Sequence, residues 1–227
     1  MTSPQPTVLV ADGGSPTLLV AVCRGTTVLA QRVGDAHVAH GTALLPMVDT
    51  VLQEAGMTLG GLDGLGLALG PGSFTGLRTG LATFKGLALA AHKVLVGVST
   101  LQALARSAGT VGRVGVALDA RKGQVYAAVF DVGPDVPLVP PTVVTPETWM
   151  EQVEGLGPLV YAGDGARLVT RGVAHVAWAH AYPATGALAS LVVEGLHSPS
   201  VLETLEPLYV RQSYADLSLG QAKKERA

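Results

Sequence analysis

Ala68-Leu-Gly-Pro-Gly-Ser-Phe-Thr-Gly-Leu-Arg-Thr-Gly-Leu-Ala-Thr-Phe-Lys-Gly-Leu-Ala88 joins a short apolar run to a long helical pattern through a glycine-rich turn. Upstream, Leu62–Leu69 is almost wholly Leu, Gly and Ala, the composition of a strand buried on both faces. Downstream, Phe74, Leu77, Leu81, Phe84, Ala88 and Ala91 form one stripe and predict a helix over Phe74–His92. Gly76, Gly80, Thr83 and Gly86 lie off that stripe. Glycine inside a helix costs up to about 1 kcal/mol against alanine, so its repetition predicts the close approach of another backbone.

The turn admits more than one use. It is not a P-loop, because no lysine follows Gly76. Gly70-x-Gly72-x-x-x-Gly76 follows a strand and opens a helix, as a dinucleotide loop does. The ribose-binding acid expected about twenty residues on is missing, however. Two readings stay open on the residues alone. One is an anion-holding loop made from Gly70, Gly72, Ser73, Thr75, Gly76 and Arg78. The other is a rigid strand-to-helix turn capped by Ser73.

Nearer the N-terminus, Val8–Asp12 is a buried-strand pattern ending on an acid, followed by strand candidates at Thr17–Arg24 and Val28–Val33. The pattern recurs at Val114–Asp119, with a turn at Ala120–Gly123 and further strands over Gln124–Asp131 and Pro137–Val144. Two meanders that each open on a strand and an Asp predict a duplicated architecture. Between and after them, helical spacing marks Thr42–Ala55, Leu101–Ala108, Pro146–Gly155 and Ala187–His197, while Val94–Val98 and Leu159–Ala162 read as strands. Strands mixed with helices in each half predict an α/β protein of two lobes, divided as 1–105 and 106–227.

Composition agrees with a packed chain. Of 227 residues, 48% are hydrophobic and 14% charged, which excludes disorder. Net charge is −2, so there is no global basic field for nucleic acid. Locally, Gly64–Leu118 contains no Asp or Glu but holds Arg78, Lys85, Lys93, Arg106 and Arg113. The lone cysteine, Cys23, sits in an apolar run and reads as a buried small side chain. Met1–Thr7 lacks the pattern of a signal peptide, and no uncharged apolar run approaches the ~20 residues that span a bilayer, so a cytoplasmic location is expected.

Five ordered blocks resemble the signature of the TsaB/YeaZ family. They are the stretch quoted above; His40 with Leu44-Leu45-Pro46-Met47-Val48; Gly97–Leu101; Asp119–Tyr126; and Glu206–Arg211. The resemblance runs from about Val8 to Arg211, nearly the whole chain. It implies the two-lobed, duplicated actin/Hsp70/sugar-kinase-like (ASKHA) fold, each lobe a mixed sheet flanked by helices. It also implies a catalytically silent partner of TsaD, the transferase that places threonylcarbamoyl on the tRNA adenosine beside the anticodon, with the ATPase TsaE joining the assembly.

Several site expectations follow from the resemblance. The TsaD-like partner would dock on the helices at Thr42–Ala55 and Phe74–His92 of the first lobe, through Leu44, Met47, Val48, Val51, Phe74, Leu77, Leu81 and Phe84. A chain without its partner would pair with a second copy through the same apolar stripe. Asp12 and Asp119 occupy the strand ends that hold nucleotide in superfamily ATPases, but Gly13-Gly14 follows Asp12 where relatives carry a hydroxyl residue. A nucleotide phosphate would lose a side-chain donor there, and a nucleotide-dependent enzyme is the alternative function. Arg121, Lys122 and Arg211 are candidate, weak RNA contacts. No cofactor is expected. His37 and His40 lack the spacing and companions of a metal site, and Ser73 and Thr75 lack a visible His–Asp pair.

Overall fold

The computed structural model describes residues 5–34, 40–109, 112–131, 136–170, 177–178, 180–198 and 202–210. Strand β1 (Thr7–Asp12) is central in the first sheet and buried along its whole length. It runs antiparallel to β2 (Leu19–Arg24), which pairs in turn with β3 (Thr27–Val33). On its other side β1 lies parallel to β4 (Gly64–Ala68), and β4 lies parallel to β5 (Val94–Val98). The sheet order is β3-β2-β1-β4-β5. Parallel strands need crossovers, and helix α2 (Phe74–Ala91) supplies the one from β4 to β5. Helix α1 (His40–Glu54) connects β3 to β4.

The second sheet repeats the first. Strand β6 (Arg113–Arg121) pairs antiparallel with β7 (Gln124–Asp131), which pairs with β8 (Pro137–Val144). On the other side β6 is parallel to β9 (Val160–Ala162), and β9 to β10 (Ala177–Trp178). The order β8-β7-β6-β9-β10 matches the first sheet strand for strand. Asp12 and Asp119 sit at equivalent places near the ends of β1 and β6. The helices correspond too: α4 (Pro146–Gln152) to α1, and the four-residue α5 (Ala166–Val169) to α2. This is the duplicated ASKHA-like architecture that the resemblance implies.

The last pair of helices packs across the two lobes. Helix α3 (Thr100–Ser107) follows β5, yet its Leu101, Leu104 and Ala105 pack with Val114, Val116 and Leu118 of β6. Helix α6 (Thr185–Gly195) follows β10, yet its Leu188, Ala189, Leu191 and Val192 pack with Val8, Val10, Ala21 and Val96 of the first sheet. Each helix thus covers the sheet of the other lobe. The two meet at the boundary, where Arg106 forms an ion pair with Glu194 and bonds Ser190. A final strap, Leu202–Val210, also returns to the first lobe and buries Leu205 in its core. Across the expected boundary between residues 105 and 106, both sheets are apolar on two faces and each draws its second cover from the other half of the chain.

The remaining differences from the sequence are small. Helix α4 stops at Gln152, and α6 starts two residues before Ala187. Helix α5 and strand β10 span four and two residues, too few for any periodicity to show. Among the described residues, no helix is long and apolar enough to cross a membrane.

Candidate functional site

Parallel strands in open α/β sheets place ligands beyond their carboxyl ends, so the loops after β1, β4, β6 and β9 are where a site belongs. After β1, the Asp12 carboxylate is only 2% exposed and turns back on its own loop. Its Oδ1 accepts from the Gly14 and Ser15 amides at 2.9 and 3.3 Å, and its Oδ2 accepts from the Ser15 hydroxyl at 2.6 Å. The hydroxyl missing at positions 13 and 14 is therefore supplied by Ser15, and it serves the carboxylate.

The glycine-rich turn after β4 packs against this loop. The Ser73 amide donates to the Gly14 carbonyl at 2.8 Å. A Cβ on Gly72 would overlap that same carbonyl oxygen. Gly70 has φ +98°, a conformation that L side chains rarely adopt, and Leu77 fills the space beside both Gly70 and Gly14. Ser73 caps α2 by accepting from the Gly76 amide at 3.3 Å. The turn thus behaves as a rigid joint that holds α2 against β1, with the Ser73 and Gly76 amides directed at protein partners. Thr75 and Arg78 are exposed on the first turn of α2. Of the offset glycines, Gly80 lets the helix approach Leu67 of β4, whereas Gly86 faces open space.

The equivalent corner of the second lobe is more open. The Asp119 amide donates to Asp164 Oδ1 at 2.9 Å, and Asp119 accepts from Arg121 through backbone and guanidinium at 2.7 and 3.2 Å. Arg121, Lys122 and Gly123 all have positive φ, which turns the chain sharply into β7. Asp164 lies in the Gly163–Gly165 loop after β9. Burial pushes its carboxyl above the usual value, and the neighbouring Asp119 charge acts in the same direction. Tyr182 is raised first by burial and then by the Asp164 charge, with Arg121 opposing. Neither Asp164 nor Tyr182 is among the expected site residues; the sequence marks this corner only by the Gly163-Asp164-Gly165 punctuation after a strand. Arg121 is exposed, while Arg211 lies outside the described residues.

Most of the eight residues expected to face a partner are placed in the first lobe's own core. Leu44, Val48, Val51, Leu81 and Phe84 are buried in the first lobe's own core, and Leu77 is buried beneath the glycine turn. Met47 is partly buried against the same core. The fully buried side chains are out of a partner's reach while the lobe is folded. One helical stripe can face only one way, and here the sheet takes it. Phe74 alone of the eight is half exposed. The outer faces of α1 and α2 instead present Leu45 at 52% exposure, Ala82, Gly86 and Leu89. At the start of α2, Phe74 stacks on Tyr209 of the strap and carries the Arg78 guanidinium over its ring.

Cys23 is buried, and burial pushes its thiol up to about 11, so it is inert at neutral pH. His37 lies outside the described residues. Among the described residues no group of three metal-ligating side chains assembles.

The family model of TsaD, tRNA N6-adenosine threonylcarbamoyltransferase, matches residues 28–158. The chain is 43% identical over 94 residues to the tRNA threonylcarbamoyladenosine biosynthesis protein TsaB of Escherichia coli, covering 40% of this chain and 41% of that relative. It is 31% identical over 166 residues to the Bacillus subtilis protein of the same name, covering 71% of this chain and 72% of the relative. The solved structure of YeaZ from Pseudomonas aeruginosa superposes with a TM-score of 0.77 at 28% identity, over 90% of this chain and 99% of that one.

Proposed function

The chain belongs to the family described by the TsaD model and, within it, to TsaB/YeaZ, and from that premise we propose that it is a non-catalytic subunit supporting a TsaD-like transferase. The partner transfers threonylcarbamoyl to the tRNA adenosine next to the anticodon. This chain supplies a docking surface and no reacting group. A TsaE-like ATPase joins the pair, tRNA is met indirectly or weakly, and the place of action is the cytoplasm.

The observation that carries the reading is the state of Asp12. A superfamily ATPase needs this acid facing nucleotide phosphates and metal. Here two backbone amides and the Ser15 hydroxyl hold it inside its own turn, under a loop whose Gly72 touches Gly14. Turning the carboxylate towards a ligand would break these hydrogen bonds to its own loop. The exposed Leu45, Ala82 and Leu89 on paired helices α1 and α2 support docking as the positive role.

The test is co-purification with the cognate TsaD-like protein, comparing wild type with Leu45→Glu/Ala82→Glu. Both positions are exposed, so the variant keeps its core. A stable wild-type complex that the double variant loses supports the reading. Absence of any wild-type complex, together with Mg·ATP turnover by the chain alone, would replace it with the enzyme alternative.

A further inference from the structure

The strap and the start of α2 bring together residues far apart in the sequence. Leu205 anchors the strap in the first-lobe core, and the Leu208 amide donates to the Leu69 carbonyl at 2.8 Å. Tyr209 then lies against Phe74, ring centroids 5.6 Å apart and tilted by 34°. The Arg78 guanidinium sits 4.9 Å from the Phe74 centroid. Phe74, Leu208 and Tyr209 remain 50%, 42% and 48% exposed, a connected aromatic surface that the fold assembles and leaves uncovered.

The chemistry of this surface describes its occupant. Arginine and tyrosine dominate the energetic centres of protein interfaces. A cation over an aromatic face attracts more strongly once water is excluded, so covering it adds to binding. Arg78 forms no ion pair among the described residues, and helix α2 carries no acid. A partner carboxylate therefore has an open position here. Glu203 and Glu206 lie exposed on the same strap, which disfavours a polyanion such as RNA and favours a protein. The patch also continues the outer face of α2.

We infer that the docking surface for the TsaD-like partner extends from helices α1 and α2 onto the C-terminal strap, with Phe74, Arg78 and Tyr209 at its centre, and that the partner meets it with a carboxylate beside an apolar side chain. This rests on the docking role proposed above.

Calorimetric titration of the full chain against its cognate TsaD-like protein tests it, using Arg78→Glu, Tyr209→Ala and Tyr209→Phe. Hydrogen exchange at the Leu208 amide reports whether the strap stays in place. Arg78→Glu and Tyr209→Ala are each expected to weaken the complex by about tenfold or more, and Tyr209→Phe by less than about threefold. Wild type that forms no complex overturns the docking role and this inference together. A wild-type complex whose affinity both variants leave unchanged overturns the strap inference alone. So does binding lost only where the Leu208 amide becomes exposed, with Arg78→Glu binding normally, since the strap is then a structural element. Variants that bind the protein normally but lose affinity for an anticodon-stem RNA overturn it in favour of RNA.

Discussion

Asp12 shows how a residue's meaning depends on what its oxygens touch. In the sequence it is an acid at a strand end, the position of a nucleotide ligand; in the fold it is the anchor of a turn. Asp12→Ala leaves the Gly14 and Ser15 amides without their acceptor in a buried place. We expect a loss of about 2–3 kcal/mol in denaturant unfolding and no change in any chemical activity of the chain alone. An unchanged midpoint would show that the turn does not depend on the carboxylate. Asp164 behaves in the opposite sense. Burial raises its folded pKa above the ordinary 3.8, so the fold binds this proton more tightly than the unfolded chain does. The resulting stability is fully present below the unfolded value and is lost as pH rises through the folded one. Asp164→Asn keeps an acceptor for the Asp119 amide and does not titrate. Between acidic and neutral pH its melting temperature should therefore fall less than that of wild type. A steeper fall in the variant would contradict the assignment.

At the scale of elements, the glycine turn and α2 were the most legible part of the chain. Ser73 caps the helix, His92 closes it in a left-handed conformation, and the stripe from Leu77 to Ala88 is buried as its spacing predicts. What the spacing did not say was which surface the stripe meets. Periodicity reports that a face is covered and is silent on whether sheet or partner covers it. Tertiary packing answers with the sheet, and the face left exposed is the opposite one, lined by Ala82, Gly86 and Leu89, on which the proposed docking rests. Gly72 is the tightest point of the joint. Gly72→Ala forces a Cβ against the Gly14 backbone, which has no flexible end to yield. We expect a cost of about 1–3 kcal/mol, read as a lower midpoint in urea at unchanged slope. Gly86→Ala, in open space, is the control and should be neutral or slightly stabilising.

For the whole molecule, the decisive feature is the exchange of helices between lobes. Helix α6 and the strap cover the first sheet, and α3 covers the second. The fragment 1–109 would expose the face that carries Val8, Val10, Ala21 and Val96. We expect it to show no cooperative thermal transition, while the full chain melts as one unit. A cooperative transition in the fragment would mean that the lobes fold independently. The sequence by itself determined the α/β class, the duplication, the run of most strands and helices, and the family. Those depend on local periodicity, turn residues and ordered motifs, all written along the chain. Tertiary structure alone decided that Asp12 is enclosed, that Leu77, Leu81 and Phe84 are core, that Phe74 meets Tyr209, and that each sheet borrows a helix from the other half. These depend on which apolar faces meet across long separations in sequence. A chain announces that a face must be buried, and only the packed molecule settles against what.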